Sequence, residues 1–518
     1  MTSEITRRTA IAALVSAWST AALAEGPALT GRPRPRPGPV PAPERIGAGR
    51  EPKARPAGLG QPPSVEEIVR AARMTGDYAC AAFDLRDGTL LESVHDDVLL
   101  PPASVMKSLT AAYALDRLGP DFRFLTRLVV TGPVEGDELK GDLILAGGGD
   151  PTLETRDLDR LAEALAGAGV RRIAGRFLFW EGALPFTAKI DPDQGDQLGY
   201  NPAVSGLNLN FNRVHFSWTR TGSAYSVALD ARAGDLVPAV TSSAMAVEDR
   251  SLPVYTYRSA GGRDLWTVAR GALGKGGARW LPVRNPGTYA ADVFATLARR
   301  HGVSLPVGRG VAALPEGTVL AEIASAPLVD VAEDMLRYST NLTAEVLGLT
   351  ATLSVGPMAG TAQPLAASGA AMAAWAAGAL GFEGGRIVDH SGLGDESRVS
   401  ARQMAGAIAH MARQGPEVVP ILKEFQMPDG RGGLTAGGPV RVVAKTGTLN
   451  FVSGLAGVAR SQRGREVAFA IFTGDLSKRA RGLASGDEIP SGARPWNATA
   501  KQVQRGLIER WAALAELR

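Results

Sequence analysis

The segment PPASVMKSLTAAYALDRLG, residues 101–119, places Ser104 three positions before Lys107 at the start of an apolar run. On a helix, residues i and i+3 share a face, so the serine hydroxyl and the lysine amine can meet. A serine becomes a nucleophile when a neighbouring group takes its proton, and a lysine can do so when burial lowers its pKa. The pair therefore indicates nucleophilic catalysis, although a helix-capping serine followed by a solvated lysine fits the same letters.

Two later motifs favour the chemical interpretation. The tripeptide Ser-Thr-Asn at 339–341 lies between two segments with helical periodicity, where polar groups can project into a cleft. The run Lys-Thr-Gly-Thr at 445–448 is strand-like, and its glycine lets a ligand backbone approach closely. Each motif alone is also compatible with a polar helix link or an exposed strand lysine. Together, in the order S-x-x-K, S-x-N, K-T-G, the three motifs form the constellation of the penicilloyl-serine transferases.

The sequence resembles the class C low-molecular-mass penicillin-binding proteins, a family of D-alanyl-D-alanine carboxypeptidases and endopeptidases that trim peptidoglycan. The resemblance continues, in the family's order, through GDLILAGGGDPTL, YNPAVSGLNLN, APLVDVAEDMLRYSTNLTAEVL, DHSGLGDESRVSA and VRVVAKTGTLNFVSGLAGV. It covers most of residues 65–518, and the long gap between the first two motifs is typical of this family, which carries extra domains there. Three departures are local: S-T-N replaces the commoner S-D-N, and His390 and Gly394 replace Gly and Ser.

For catalysis, the resemblance implies that Ser104 attacks the carbonyl between the two terminal D-alanines and forms an acyl-enzyme. Lys107 would take the hydroxyl proton, and Ser339 would relay a proton to the leaving D-alanine. The backbone N–H groups of Ser104 and Thr448 would form the oxyanion hole. The resemblance implies neither a cofactor nor a metal.

For substrate binding, the resemblance implies that Asn341 holds the substrate amide. Lys445 would add positive potential that keeps the catalytic lysine neutral, and Thr446 and Thr448 would bind the terminal carboxylate beside Gly447. The implied ligands are peptidoglycan peptides that end in D-Ala-D-Ala or carry D-Ala cross-links, together with β-lactam antibiotics as covalent inhibitors. The resemblance leaves open whether the enzyme is a carboxypeptidase or an endopeptidase, and whether it forms a homodimer.

Other classes of protein fit the sequence less well. A β-lactamase would use the same Ser104 and Lys107, but the chain lacks an evident Glu-x-x-x-Asn loop and has a large insertion. A non-catalytic envelope scaffold would have no reason to retain all three motifs. The five histidines form no H-E-x-x-H spacing, which argues against a metallopeptidase, and no G-x-S-x-G elbow marks a Ser-His-Asp hydrolase. The neighbours Asp389, His390 and Ser391 fit a structural loop better than a triad.

The composition is that of a globular protein rather than a membrane protein with several spans. Hydrophobic residues make up 45% and charged residues 21% of the 518 positions. The net charge of +4 arises from the first 63 residues, which carry nine Lys/Arg against four Asp/Glu. The remainder is close to neutral and gives no indication of nucleic-acid binding.

The N-terminus predicts export to the periplasm. Residues 1–24 contain Arg7 and Arg8, an apolar stretch and a small-residue cleavage site, the pattern of a cleavable signal peptide for the general or the twin-arginine route. Residues 25–63 are rich in Pro, Arg and Gly and predict a disordered tether that is able to contact an anionic envelope surface. The single cysteine, Cys80, excludes an intramolecular disulfide and fits a buried core position.

The order of elements predicts an α+β fold. A capped helix at Ser64, a hairpin around residues 86–88 and the motif helix come first, and helices with three strand-like runs close the chain. We therefore expect a penicillin-binding, serine transpeptidase-like domain built from residues 64–124 and 326–518, with an antiparallel sheet flanked by helices. Residues 125–325 predict a large, mostly-β insertion of one or two domains, with a further subdomain near residues 215–285.

Overall fold

The computed structural model describes residues 62–358, 362–415, 417–429, 433–485 and 487–517. The predicted signal peptide, residues 1–24, and the predicted tether, residues 25–63 except for its last two, lie outside this part of the chain. Within the described residues, none of the helices combines the length and the apolar character that crossing a membrane requires.

The described residues contain the following helices and strands. The helices are α1 (Val65–Ala72), α2 (Lys107–Leu118), α3 (Thr155–Gly167), α4 (Pro286–Arg300), α5 (Leu328–Tyr338), α6 (Asn341–Leu353), α7 (Pro364–Leu380), α8 (Ala401–Arg413), α9 (Leu476–Ser485) and α10 (Ala493–Leu517). The strands are β1 (Asp77–Asp84), β2 (Leu90–Val94), β3 (Leu125–Val130), β4 (Val134–Glu135), β5 (Glu138–Leu139), β6 (Leu143–Gly147), β7 (Arg172–Ile173), β8 (Phe177–Trp180), β9 (Arg213–Thr221), β10 (Ala224–Asp230), β11 (Ser243–Glu248), β12 (Tyr255–Ala260), β13 (Arg263–Ala269), β14 (Gly276–Pro282), β15 (Arg309–Gly310), β16 (Thr318–Ala324), β17 (Glu424–Phe425), β18 (Met427–Pro428), β19 (Leu434–Thr435), β20 (Arg441–Leu449), β21 (Val452–Arg460) and β22 (Glu466–Gly474).

A six-stranded antiparallel sheet joins the two ends of the chain. Its strand order is β17-β20-β21-β22-β1-β2, so the N-terminal hairpin β1-β2 pairs with the last strand, β22. The hairpin predicted around residues 86–88 is confirmed, and so is the capping box, in which Ser64 and Glu67 exchange hydrogen bonds at the start of α1. The antiparallel sheet flanked by helices agrees with the predicted fold class.

Both faces of this sheet are buried, each against its own core. Side chains alternate along each strand, so neighbouring residues enter different cores. On β1, Ala79 and Ala81 face a core that contains helices α2 and α5–α8. Their neighbours Cys80 and Ala82 face the opposite core, which includes Trp511 of α10. Cys80 is fully buried there, as expected, and burial raises the pKa of its thiol to about 12.

The region between β3 and β16 forms its own core. A five-stranded sheet with the order β15-β8-β6-β3-β16 packs beside two three-stranded sheets, β10-β9-β14 and β11-β13-β12. The last two sheets occupy the stretch in which we expected a further subdomain, and they share one hydrophobic core with the five-stranded sheet. Two helices, α3 and α4, interrupt this mostly-β region, and α3 packs Leu158, Leu161 and Leu165 into the same core. The domain boundaries given above stay predictions.

Candidate active site

Ser104 lies in a single 3₁₀ turn, Ala103–Met106, and α2 begins at Lys107. The i to i+3 spacing of such a turn places the Lys107 Nζ 2.9 Å from the Ser104 Oγ. Ala103, directly before the serine, has a left-handed φ of 47°, a conformation that costs energy for any residue with a Cβ. The predicted pair is therefore in contact, but the serine precedes the α-helix instead of forming part of it.

Lys107 is fully buried and makes three polar contacts. Its Nζ lies 2.8 Å from Asn341 Oδ1, 2.8 Å from the backbone oxygen of Ser391 and 2.9 Å from Ser104 Oγ. The first two partners are carbonyl oxygens, which can only accept hydrogen bonds. A neutral amine has two hydrogens, so donating both to the carbonyls leaves its lone pair directed at the serine hydroxyl.

Electrostatics favour this neutral form. Burial lowers the pKa of Lys107 to about 7, whereas the nearby carboxylates of Glu345 and Asp389 act in the opposite direction. At neutral pH a large fraction of the lysine can therefore accept a proton.

The second motif lies where two helices meet. The helix α5 ends at Tyr338, Ser339 adopts a left-handed φ of 60°, and α6 begins at Asn341. This sharp junction separates the two side chains: Ser339 Oγ accepts a hydrogen bond from Lys445 Nζ at 3.0 Å, whereas Asn341 contacts Lys107. The polar link predicted between two helices thus joins both lysines of the site.

The third motif lies on β20 beside the 3₁₀ turn that contains Ser104. Lys445 and Gly447 are buried, whereas Thr446 and Thr448 are exposed, as the alternation of a strand requires. Burial lowers the pKa of Lys445 well below its usual range, and repulsion from Lys107 lowers it further. A Cβ on Gly447 would lie 3.0 Å from the Ser104 nitrogen, so glycine is needed for the strand to approach the serine.

The inserted region also reaches the site. The Nδ2 of Asn341 donates a hydrogen bond to the backbone oxygen of Tyr200 at 2.9 Å. The loop that contains Tyr200 is held by the buried guanidinium of Arg284, which donates to the backbone oxygens of Ala188, Asn201 and Asp196. Tyr200 belongs to the family-like segment YNPAVSGLNLN, but its part in the site could not be read from the sequence, because a backbone carbonyl has no side-chain signature.

Two buried carboxylates beneath Lys107 were also missed. Glu345 follows Asn341 by four positions on α6, a spacing that places both on one face, and this was the available signal. Asp389 begins the loop DHSGLG, whose Ser391 backbone oxygen accepts a hydrogen bond from Lys107 Nζ. His390 in this loop is buried among Ser368 and Met372, and burial lowers its pKa to about 3. His390 therefore has a structural role in the loop, as expected, because its ring contacts Ser368 and Met372 and not Ser104.

Comparison with known proteins agrees with this geometry. The model of the D-Ala-D-Ala carboxypeptidase 3 (S13) family matches residues 62–487. The D-alanyl-D-alanine carboxypeptidase DacB of Haemophilus influenzae is 25% identical over 450 residues, covering 81% of this chain and 90% of that protein. A D-alanyl-D-alanine carboxypeptidase of an Actinomadura species is 27% identical over 432 residues, covering 75% and 76%.

The fold has a solved counterpart. The crystal structure of penicillin binding protein 4 from Haemophilus influenzae superposes with a TM-score of 0.69 at 20% identity, covering 86% of this chain and 98% of that one. A second structure of the same protein, complexed with a β-lactam, gives a TM-score of 0.66 at 21% identity, again covering 86% and 98%. As the resemblance predicted, the chain belongs to the D-Ala-D-Ala carboxypeptidase 3 (S13) family and is a class C low-molecular-mass penicillin-binding protein, a serine hydrolase of the D-alanyl-D-alanine carboxypeptidase class.

Proposed function

We propose that this enzyme cleaves the D-alanyl bond of peptidoglycan stem peptides through a covalent ester on Ser104. The observation that carries the proposal is the arrangement around Lys107, in which two carbonyl oxygens take the amine hydrogens and the lone pair faces the serine. The related proteins named as D-alanyl-D-alanine carboxypeptidases support the substrate class.

In the first step, Ser104 Oγ attacks the carbonyl carbon of the penultimate D-alanine while its proton passes to Lys107 Nζ. The oxygen of the scissile carbonyl becomes an oxyanion, which the backbone N–H groups of Ser104 and Thr448 would stabilise. One such donor is commonly worth about 3 to 4 kcal/mol in the transition state. The close approach of β20 at Gly447 supports this assignment, because it brings the two backbone segments together.

In the second step, the C–N bond breaks and the leaving D-alanine nitrogen takes the proton that Lys107 received from Ser104, so the lysine becomes neutral again. Ser339 is the proposed relay, since its hydroxyl lies 3.0 Å from Lys445 Nζ on the edge of the same site. Water then attacks the ester carbonyl, its hydroxyl joins the acyl carbon, and its proton passes back to Ser104 through Lys107. Both products leave as an amine and a carboxylate, and no other reactant is required.

Recognition of the terminal carboxylate is assigned to β20. Thr446 and Thr448 are exposed and lie on one side of the strand, with the buried Lys445 amine behind them. A substrate carboxylate bound there would raise the lowered pKa of Lys445, so that the amine is charged in the complex. Asn341 is assigned to the substrate amide, although both ends of its side chain are engaged here, one with Lys107 and one with Tyr200. Substrate binding would therefore replace or share the hydrogen bond to the Tyr200 oxygen.

Removal of the terminal D-alanine and cleavage of a peptide cross-link both break a D-alanyl bond through the same serine, so we propose both activities. A periplasmic location fits a substrate in the cell wall and the signal pattern of residues 1–24. Contact with the envelope and a homodimer stay predictions from the sequence.

The test is intact-mass spectrometry of residues 25–518 incubated with benzylpenicillin over several hours, beside Ser104→Ala as a control. A lasting adduct on the wild type alone would establish the acyl-enzyme and favour the peptidase. An adduct that disappears as penicillin is consumed would indicate a β-lactamase instead. An adduct on Ser104→Ala would refute the assignment of the nucleophile, and no adduct on either protein would support a non-catalytic scaffold.

A further inference from the structure

Two buried carboxylates, Glu345 and Asp389, lie beneath the catalytic lysine and take part in none of the steps above. Both side chains are shielded from solvent, with exposed fractions of 0% and 1%. Burial raises the pKa of each carboxyl group, and their mutual repulsion raises the pKa of Glu345 further. Burying two acids side by side is costly unless each one is engaged in specific hydrogen bonds.

The hydrogen bonds that compensate this cost converge on one loop. Glu345 accepts the backbone N–H groups of His390 at 3.0 Å and Ser391 at 2.9 Å. Asp389 accepts the N–H of Gly392 at 2.8 Å and also that of Gly394. Four backbone N–H groups between residues 390 and 394 are therefore held by two carboxylates.

One peptide group in this loop connects the carboxylates to the chemistry. The Ser391–Gly392 peptide donates its N–H to Asp389, while its carbonyl oxygen accepts a hydrogen bond from Lys107 Nζ at 2.8 Å. Because a peptide group is planar, fixing its N–H also fixes the direction of its carbonyl oxygen. Glu345 fixes the preceding peptide group, so the carbonyl cannot rotate away from the amine.

The loop also packs closely against the 3₁₀ turn that contains Ser104. Gly392 has a left-handed φ of 73°, and a Cβ at this position would lie 1.9 Å from the backbone oxygen of Ala103. On the other side of the loop, a Cβ on Gly348 would lie 2.1 Å from the His390 ring. The carboxylates, the loop and the serine turn therefore form one close-packed unit.

We propose that Asp389 and Glu345 are positioning residues that direct the Lys107 lone pair at Ser104 by fixing the Ser391 carbonyl. This inference rests on the proposed function, since it assumes that Lys107 is the base. The two residues act through the loop and contact neither substrate nor nucleophile. Orientation of this kind is a large component of catalysis, because displacing a reacting group by about 1 Å can lower a rate about 100-fold.

The proposal also has an electrostatic consequence. The titratable groups that face this unit are Lys107 from α2, Lys445 from β20 and Asp191 from the inserted region, together with Glu345 and Asp389. His390 is neutral above about pH 3 and does not contribute a charge. Since Asp389 raises the pKa of Lys107, neutralising this carboxylate should let the pKa of the lysine fall further.

The experiment compares Asp389→Asn and Glu345→Gln with the wild type and with Glu181→Gln as a matched control. Glu181 is a partly buried carboxylate in the inserted region whose pKa is raised by burial and which accepts the Gly287 N–H at 3.1 Å, but it has no connection to Lys107. The measurement is the second-order rate of acylation by benzylpenicillin between pH 5 and 9, with the fold of each variant checked by circular dichroism.

We expect Asp389→Asn to lower the limiting rate about 10- to 100-fold and to move the acid limb about 1 pH unit lower. Glu345→Gln should lower the limiting rate by a similar factor, whereas Glu181→Gln should match the wild type. Limiting rates and acid limbs that match the control would overturn the inference while leaving Ser104 and Lys107 intact as nucleophile and base. If neither Asp389→Asn nor Glu345→Gln can be recovered as folded protein, the carboxylates are required for folding and the inference is overturned. A wild type that is not acylated would refute the proposed function itself.

Discussion

The state of Lys107 makes the pH dependence of acylation a quantitative test of the mechanism. A lysine in water has a pKa near 10.4 and would be almost fully charged at pH 7, whereas burial lowers the pKa of Lys107 to about 7. Only the neutral amine can take the proton of Ser104. Acylation should therefore fall as the pH is lowered through 7 and reach a plateau above pH 8.

The magnitude follows from the titration of one group. With a pKa of about 7, about one half of Lys107 is neutral at pH 7, about a tenth at pH 6 and about a hundredth at pH 5. The rate should decline by the same factors below neutrality. Asp389 and Glu345 titrate in the same cluster, and protonating either carboxylate lowers the pKa of Lys107. The observed limb therefore belongs to the three groups together and is shallower than that of a single site.

The assay is the pre-steady-state rate of acyl-enzyme formation with benzylpenicillin, measured after brief exposure of the enzyme to each pH. The carboxylate of the inhibitor is ionised throughout this range and does not contribute to the profile. Lys107→Arg is the matched control, because arginine keeps the charge at every pH and cannot serve as the base. This variant should remain unacylated even at pH 9, and a wild-type rate that varies less than about threefold from pH 5 to 9 would refute the assignment of the base.

Three further substitutions test other parts of the site. Lys445→Ala should lower activity on substrates with a free terminal carboxylate about 10- to 100-fold more than on their amidated analogues, because the variant loses one charge-assisted hydrogen bond. An equal loss on both kinds of substrate would contradict the role proposed for Lys445. Gly447→Ala should lower the acylation rate about 100-fold, because the new Cβ would lie 2.7 Å from the backbone oxygen of Pro102, just before the turn that contains Ser104. Gly378→Ala is the control and should be acylated normally, because a Cβ at Gly378 would meet open space. Gly348→Ala should reduce the free energy of unfolding by about 1 to 3 kcal/mol through its contact with the His390 ring, and an unchanged denaturation midpoint would show that the loop can move aside.

The sequence predicted which side chains meet at the candidate site but not the geometry around them. The three motifs could be predicted to meet because together, in this order, they form the constellation of the penicilloyl-serine transferases, although each motif alone also fits a structural role. The 3₁₀ turn at Ser104 could not be predicted, since the apolar run that begins there has the periodicity of an ordinary helix. The left-handed conformations of Ala103 and Ser339 were likewise hidden, because neither residue type favours them.

The helix α3 shows a different kind of failure. Leu158, Leu161 and Leu165 follow the spacing of a buried helical face, so the signal was present in the sequence. It was overlooked because strand-like runs on both sides made the region look mostly β. The error did not affect the site, since α3 packs in the core of the inserted region, away from the three motifs.

The groups that orient the base are mainly backbone atoms, and this limits what any sequence pattern can reveal. Lys107 is aimed by the Ser391 carbonyl and by Asn341, and Asn341 is itself held by the Tyr200 carbonyl of the inserted region. A carbonyl oxygen is present at every residue, so only the fold determines which ones point at the amine. The inserted region is therefore coupled to Lys107, the proposed base. A shift of the Tyr200 loop would release Asn341, which is one of the two groups that orient the lysine lone pair.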